Sequence, residues 1–331
     1  MKIAVDCHVP FLLAHGGVQI QVEQTLAALQ RQGIEAFPLP WWDDAGSPDI
    51  IHFFGRPNQA YANLVRQKKI RLVIADLLTS QGSRTSLQRL PFRLLSGLDR
   101  LAGGRIRSRL GWTVYDRADC CVCLTSWEAF LIRTMYGASR ARLEVVPNGV
   151  EGIFLAATGN FPRADHLVTT VTITQRKRVL ELVEAAALAR VKVRIIGKPY
   201  QDRDPYFLQF LESVKRSQPW VDYVGPVEDR AKLAEEYNQA AGFVLLSAME
   251  SQSLSALEAA ACGCPLLVSD LPWARTTFGS QASYCPITSA TQTAGHLGAF
   301  YKKIAQAPRF QNVLSWDQVC QRLADIYKSL L

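Results

Sequence analysis

Glu250 and Glu258 stand eight residues apart where an apolar run, Gly242 to Ala248, gives way to a helical pattern closing on Gly263, Cys264 and Pro265. The change of period puts Glu250 on the loop after a strand and Glu258 in the first turns of the next helix. A carboxylate accepts hydrogen bonds from hydroxyls, and a helix N-terminus holds phosphate with its exposed N–H groups and the positive end of its dipole. A nucleotide sugar needs both. Glu258 lies among Ala256, Leu257, Ala259, Ala260 and Ala261, a setting in which a charge needs a partner. It reads either as a hydroxyl-binding carboxylate or as an exposed helical glutamate.

The elements around this pair alternate between strand and helix. Apolar segments at Lys2–Asp6, Asp49–Phe54, Leu72–Ala75, Cys120–Thr125 and Leu143–Val146 read as strands. So do Leu167–Ile173, Val191–Ile196, Val221–Val224, Gly242–Leu246 and Pro265–Ser269. Helical patterns fall between them, among them Val18–Arg31, Gln59–Gln67, Val179–Ala189 and Arg230–Ala240. Such βα alternation predicts an α/β fold of parallel sheets covered on both faces. The 331 residues suit about two domains of roughly 150. Pro147, Asn148, Gly149, Gly152, Gly159 and Pro162 accumulate without periodicity and mark the boundary. We therefore expect an N-terminal domain over 1–155 and a second over 156–312.

Composition narrows the class. Apolar residues make up 48% and charged residues 20%, ordinary for a globular chain. No run reaches the roughly 18 uncharged apolar residues of a membrane span, and Asp6 comes too early for a secretory leader; a cytoplasmic protein is expected. Of the eight cysteines, Cys120, Cys121 and Cys123 lie in one strand, and Cys262 and Cys264 flank a glycine. Neither group has C-x-x-C spacing or a nearby histidine, so reduced, buried thiols and no metal site are expected.

The stretch from Glu250 to Pro265 resembles the E-x7-E signature of retaining glycosyltransferases of group 1, family four, whose form is E-G-F-G-x-x-x-x-E-A-M-A-x-G-x-P. Gly16-Gly17, Val146-Pro147-Asn148-Gly149-Val150, Arg176-Lys177-Arg178 and Val224-Gly225 follow the family's order across nearly the whole chain. The resemblance implies a GT-B fold, two Rossmann-like domains facing across a cleft, with a C-terminal helix (313–331) crossing back to the first domain. It implies that Glu258 holds the ribose and Glu250 the donor sugar or the reacting centre. Backbone N–H groups of Gln252, Ser253 and Leu254 would meet the phosphates, and Gly16 and Gly17 would approach them from the other domain. Ser251-Gln252-Ser253 replaces the family's Gly-Phe-Gly, so Ser253 becomes a cap for the helix.

Departure of a nucleotide develops negative charge on its β-phosphate, which calls for cations or aligned donors. Lys177 matches the lysine of the family pattern K-G-x-x-x-L-x-x-A, here beginning Lys177-Arg178; otherwise it is a solvated lysine at a helix start. The family's arginine four to six residues earlier is replaced by Val171, Thr172 and Ile173, so Arg176 or Arg178 would substitute, or Thr172 and Thr174 would hydrogen-bond instead; Lys198 is a further candidate, and Arg176 and Lys198 are each alternatively a surface residue. The family's acceptor-side histidine is absent beside Asp76. His52 is either a contact there or a buried structural histidine.

From Tyr61 to Arg142 there are 15 Lys and Arg against five acids. On a helix through Leu87–Leu101, Arg89, Arg93 and Arg100 fall on one face and the leucines on the other, with Pro91 in the first turn. The arginine face would dock anionic lipid headgroups or an anionic acceptor, or is simply solvated while the leucines meet the core. No nucleic-acid module accompanies the charge. Two functions remain: a metal-independent glycosyltransferase of polysaccharide or glycolipid biosynthesis, working on a glycan or lipid-linked acceptor in the cytoplasm or at the inner membrane face, or a catalytically degenerate GT-B binding or scaffold protein.

Overall fold

The computed structural model describes the chain apart from residues 9–10, 12–15, 43–45, 85, 102–104 and 157–162, and apart from the side chains of 86, 100 and 101. The first stretch comprises β1 (Lys2–Cys7), α1 (Gly17–Arg31), β2 (Glu35–Pro38), β3 (Ile50–Phe54), α2 (Gln59–Gln67), β4 (Arg71–Ala75) and α3 (Thr79–Ser83). It continues with α4 (Ser86–Leu101), α5 (Arg105–Arg109), α6 (Val114–Arg117), β5 (Cys120–Cys123), α7 (Ser126–Thr134) and β6 (Leu143–Val145). There follow β7 (Gly149–Val150), α8 (Gly152–Ala156), β8 (His166–Thr170), α9 (Val179–Ala189), β9 (Lys192–Ile196), α10 (Pro205–Arg216), β10 (Val221–Gly225) and α11 (Arg230–Gln239). The chain closes with β11 (Gly242–Leu245), α12 (Leu254–Ala261), β12 (Leu266–Ser269), α13 (Pro272–Phe278), β13 (Ser283–Cys285), α14 (Ala290–Lys302), β14 (Leu314–Ser315) and α15 (Trp316–Lys328). Two compact units result: Met1–Gly149 with Trp316–Leu331, and Val150–Ser315.

Each unit is built on a six-stranded sheet, ordered β2-β1-β3-β4-β5-β6 in the first and β10-β9-β8-β11-β12-β13 in the second. All these neighbours pair in parallel. Side chains of successive strand residues point to opposite faces, and helices cover both. In the second unit Val168, Leu245 and Val268 therefore join one apolar cluster, while Leu167, Val244 and Leu267 join another. Strand order reverses between β1 and β3 and again between β8 and β11. Ligands of open parallel sheets bind beyond the strands' carboxyl ends at such reversals.

In the first unit α15 packs beside α1 and buries Trp316, Cys320, Leu323 and Tyr327. Arg31 pairs with Asp317 at 2.6 Å. His52 on β3 is fully buried, and its Nδ1 lies 2.6 Å from the Tyr327 hydroxyl. Burial pushes its pKa down to about 3, so it is a neutral structural histidine and not a surface contact. All eight cysteines are free thiols, seven of them buried.

Sequence patterns did not reveal β2, nor α13, β13 and α14 after Ser269. The Ala-, Gly- and Thr-rich sequence of α14 carries little periodic signal, yet the helix packs on α9. A second correction concerns α4. Arg89 is buried, not exposed: its guanidinium lies over the Trp127 ring, 4.5 Å from the centroid, and donates to the Arg84 carbonyl. Ser96 and Asp99 also face inward; Asp99 accepts from the Arg107 N–H at 3.0 Å. Leu87, Leu90, Leu94, Leu95 and Leu98 face solvent. The reason is the surface α4 lies against, an indole and backbone polar groups, which suits a long arginine better than a leucine. Arg93 is exposed, and the side chain of Arg100 lies outside the described residues. Pro91 falls inside the helix, not in its first turn, and withholds a donor from the Leu87 carbonyl.

Candidate active site

Because β8 and β11 are neighbours in the sheet, the segments leaving their carboxyl ends are neighbours too. The segment after β8 makes a 3-10 turn at Gln175–Lys177; the one after β11 leads into α12. They are stitched by the Ala248 N–H, which donates to the Arg176 carbonyl at 2.8 Å. Three charged side chains meet on this seam. Lys177 Nζ donates to Glu250 Oε1, and Arg176 lies 3.3 Å from the same oxygen. Arg176 also donates to the Met249 carbonyl. Glu250 is buried, which pushes its carboxyl up, but Lys177 and Arg176 outweigh burial and hold it below the usual carboxylate range. Two cations thus share one buried anion.

The turn carrying these cations is tightly constrained. Arg178, at the family's glycine position, takes the left-handed conformation (φ 53°) that non-glycine residues rarely adopt. Its buried guanidinium donates to Glu181 at 3.2 Å and to the Thr288 carbonyl at 2.6 Å. Side-chain bonds thereby hold what a glycine would adopt freely. Gly197 follows β9 at φ 143°, and a Cβ there would sit 1.8 Å from the Val171 carbonyl oxygen. Only glycine fits so close an approach.

Ser251, Gln252 and Ser253 are buried before α12. Ser253 is the N-cap, accepting from the Ala256 N–H at 3.3 Å. Glu258 is buried on the same helix and already bonded. Arg230, at the start of α11, donates to Glu258 Oε1 and, through Nε, to Glu151 at 2.7 Å. The guanidinium also covers the Phe154 ring, 4.7 Å from its centroid. Tyr237 donates to Glu258 Oε2 at 3.2 Å. Burial raises the Glu258 carboxyl; Arg230 and Tyr237 pull it back without cancelling the rise. Sequence reasoning missed Arg230, Tyr237 and Glu151. Arg230 is 28 residues from Glu258, beyond the reach of any local pattern.

The other expected residues fall elsewhere. Lys198 pairs with Glu228 at 3.3 Å on an exposed edge and not with Glu250. In the first unit, Gly16 (φ 147°) precedes α1 and Gly17 opens it, at that unit's own strand-order reversal. Asp76, at the end of β4, accepts from the Tyr115 hydroxyl; burial pushes its carboxyl up. Among the described residues no group of three His, Cys, Asp or Glu side chains is placed to hold a metal ion. No helix among them is long and apolar enough to cross a membrane.

Residues 164–302 match the family described as glycosyl transferases group 1, and residues 37–149 match the glycosyl transferase 4-like domain. The chain belongs to the group 1 glycosyltransferases. It is 28% identical over 245 residues to the D-inositol 3-phosphate glycosyltransferase of Nocardiopsis dassonvillei, covering 64% of this chain and 56% of that protein. The protein of the same name from Gordonia bronchialis is 31% identical over 179 residues, 48% of this chain and 39% of the relative. The chain thus spans about half the length of these relatives or less. Among solved structures, sucrose-phosphate synthase from Thermosynechococcus elongatus is similar over 100% of this chain and 99% of its own, with a TM-score of 0.72 and 18% identity. HepE from Anabaena, solved with UDP-glucose, is similar over 99% of this chain and 100% of its own, with a TM-score of 0.63 and 14% identity. What these two share with the chain is the GT-B fold.

Proposed function

We propose that the protein is a retaining glycosyltransferase that moves a sugar from a nucleoside diphosphate sugar to a hydroxyl of a glycan or lipid-linked acceptor. The observation that carries this reading is the buried Glu250 carboxylate shared by Lys177 and Arg176. In this reading Lys177 and Arg176 are the cations that offset charge on the leaving β-phosphate. The capped N-terminus of α12 supplies N–H donors for the same phosphates. Glu250 keeps the two cations apart from solvent anions until a donor arrives and then faces the donor sugar. Glu258 would take the ribose. A carboxylate has about four acceptor positions; Arg230 and Tyr237 use two, and two hydroxyls would use the rest. HepE binds UDP-glucose, which supports a nucleotide sugar as donor.

A second reading has one observation in its favour: both Glu258 oxygens already accept a hydrogen bond from their own chain, as a nucleotide-independent scaffold would allow. One experiment separates the two. Incubation with a panel of UDP, GDP and ADP sugars, followed by NMR, reads both release of the sugar and its anomeric configuration. Release with retained configuration is expected for one nucleotide. Silence across the panel, with no nucleotide bound in calorimetry, favours the scaffold.

A further inference from the structure

The helix α4 is amphipathic, but its apolar side is turned outward. Leu87, Leu90, Leu94 and Leu98 recur at three- and four-residue intervals and share one face. They are 82%, 50%, 60% and 54% exposed, while Arg89, Ser96 and Asp99 on the opposite face are buried. An isolated exposed leucine is ordinary; a contiguous stripe on one helix marks an interaction surface. Arg89 and Asp99 are held as described, and the Ser96 hydroxyl donates to the Thr134 carbonyl at 3.5 Å, so the polar face has partners that keep the leucine face outward.

Charge indicates what covers the stripe. Between Arg84 and Arg109 the sequence has seven arginines and one acid, Asp99, and that acid is buried against the Arg107 N–H. Arg93, Arg105 and Arg109 are exposed on α4 and the adjoining α5. A second copy docking by the same face would set each arginine rim against its own kind, because two-fold pairing is self-complementary. A single convex helix offers no groove for an inserted peptide. A bilayer with anionic lipids answers both features: apolar chains for the leucines and phosphates for the arginines, with the helix lying flat in the interface. We infer that α4 docks the first unit on an anionic lipid surface, burying its leucine face among acyl chains while Arg93, Arg105 and Arg109 contact headgroups.

The test is flotation of the full chain with phosphatidylcholine–phosphatidylglycerol vesicles, against phosphatidylcholine alone, at low and high salt. The wild-type protein should float with the mixed vesicles. Replacing Leu87, Leu94 and Leu98 together by serine should weaken this by about tenfold or more, and Arg93→Gln with Arg105→Gln and Arg109→Gln should remove the preference for anionic lipid. The leucines are exposed, so the serine variant should melt as the wild type does. As a variant independent of that assumption, Leu94→Trp should shift its emission to the blue on adding mixed vesicles. Absence of flotation at low salt, equal flotation of the serine variant, or an unshifted Leu94→Trp emission would each overturn the inference. So would a wild-type dimer that the serine changes disperse while vesicles are ignored. The assay uses neither donor nor acceptor, so its failure leaves the glycosyltransferase reading standing, and failed transfer leaves docking standing.

Discussion

Arg230 holds Glu258: the guanidinium donates to one carboxylate oxygen and ties it to Glu151, while Tyr237 takes the other oxygen. The glutamate is therefore oriented before any ligand arrives. If it binds ribose, Glu258→Ala should weaken nucleotide affinity by about 1.5 to 3 kcal/mol, the scale of hydrogen bonds to a charged group. Calorimetry with the free nucleotide measures this, and unchanged affinity would remove Glu258 from the site.

Arg230→Gln should act through protonation. Binding needs the ionised carboxylate, and burial already raises the Glu258 carboxyl against the pull of Arg230. Glu151, Tyr237 and Cys262 also face it, and none of them supplies the missing positive charge. Without Arg230 the carboxyl rises further, so a proton competes with the nucleotide up to higher pH. Affinity of the variant should climb with pH over a range where the wild type is flat. Parallel pH profiles would show that Arg230 is merely structural.

Lys177→Ala should lower kcat about a hundredfold or more if the ammonium stabilises charge on the departing phosphate. Far-ultraviolet circular dichroism should be unchanged. Full turnover in the variant would rule out that role.

At Arg178 two effects oppose each other. Glycine there would relieve a left-handed residue, a gain of about 1 kcal/mol, but would remove the bonds to Glu181 and the Thr288 carbonyl. We expect Arg178→Gly to keep the melting temperature near that of the wild type, while Arg178→Ala, which loses the bonds and keeps the strain, melts lower. Equal melting of the two variants would show that the backbone conformation costs nothing.

His52 predicts an acid limb in stability. Its pKa in the fold is about 3, against 6.5 as the ordinary value. Above pH 6.5 both states are neutral and its contribution is complete. As pH falls from 6.5 toward 3 the unfolded chain takes up a proton that the fold refuses, and stability drops by up to about 1.4 kcal/mol per pH unit. Denaturant titrations of the wild type and His52→Asn across that range should show the steeper fall in the wild type; identical slopes would count against it.

Much of this was legible in the sequence. The period of Gln59–Gln67 and Val179–Ala189 gave α2 and α9 to the residue, and βα alternation gave parallel sheets because such strands must be apolar on both faces. The Lys177 and Glu250 neighbourhood was legible only through resemblance to a family, since 73 residues separate them. α4 was misread for a physical reason. Periodicity reports that two faces differ; which one turns inward depends on what the helix meets, and here it meets Trp127.

The C-terminal helix has a consequence for how the protein is made. Unit 1 takes its final element, α15, from beyond unit 2, so His52 waits for Tyr327 while every residue from Val150 to Ser315 is synthesised. At about 5–20 residues per second that delay is roughly ten to thirty seconds. Throughout it the α1 surface that α15 will cover stays open in the nascent chain, and the second-made unit can finish folding before the first.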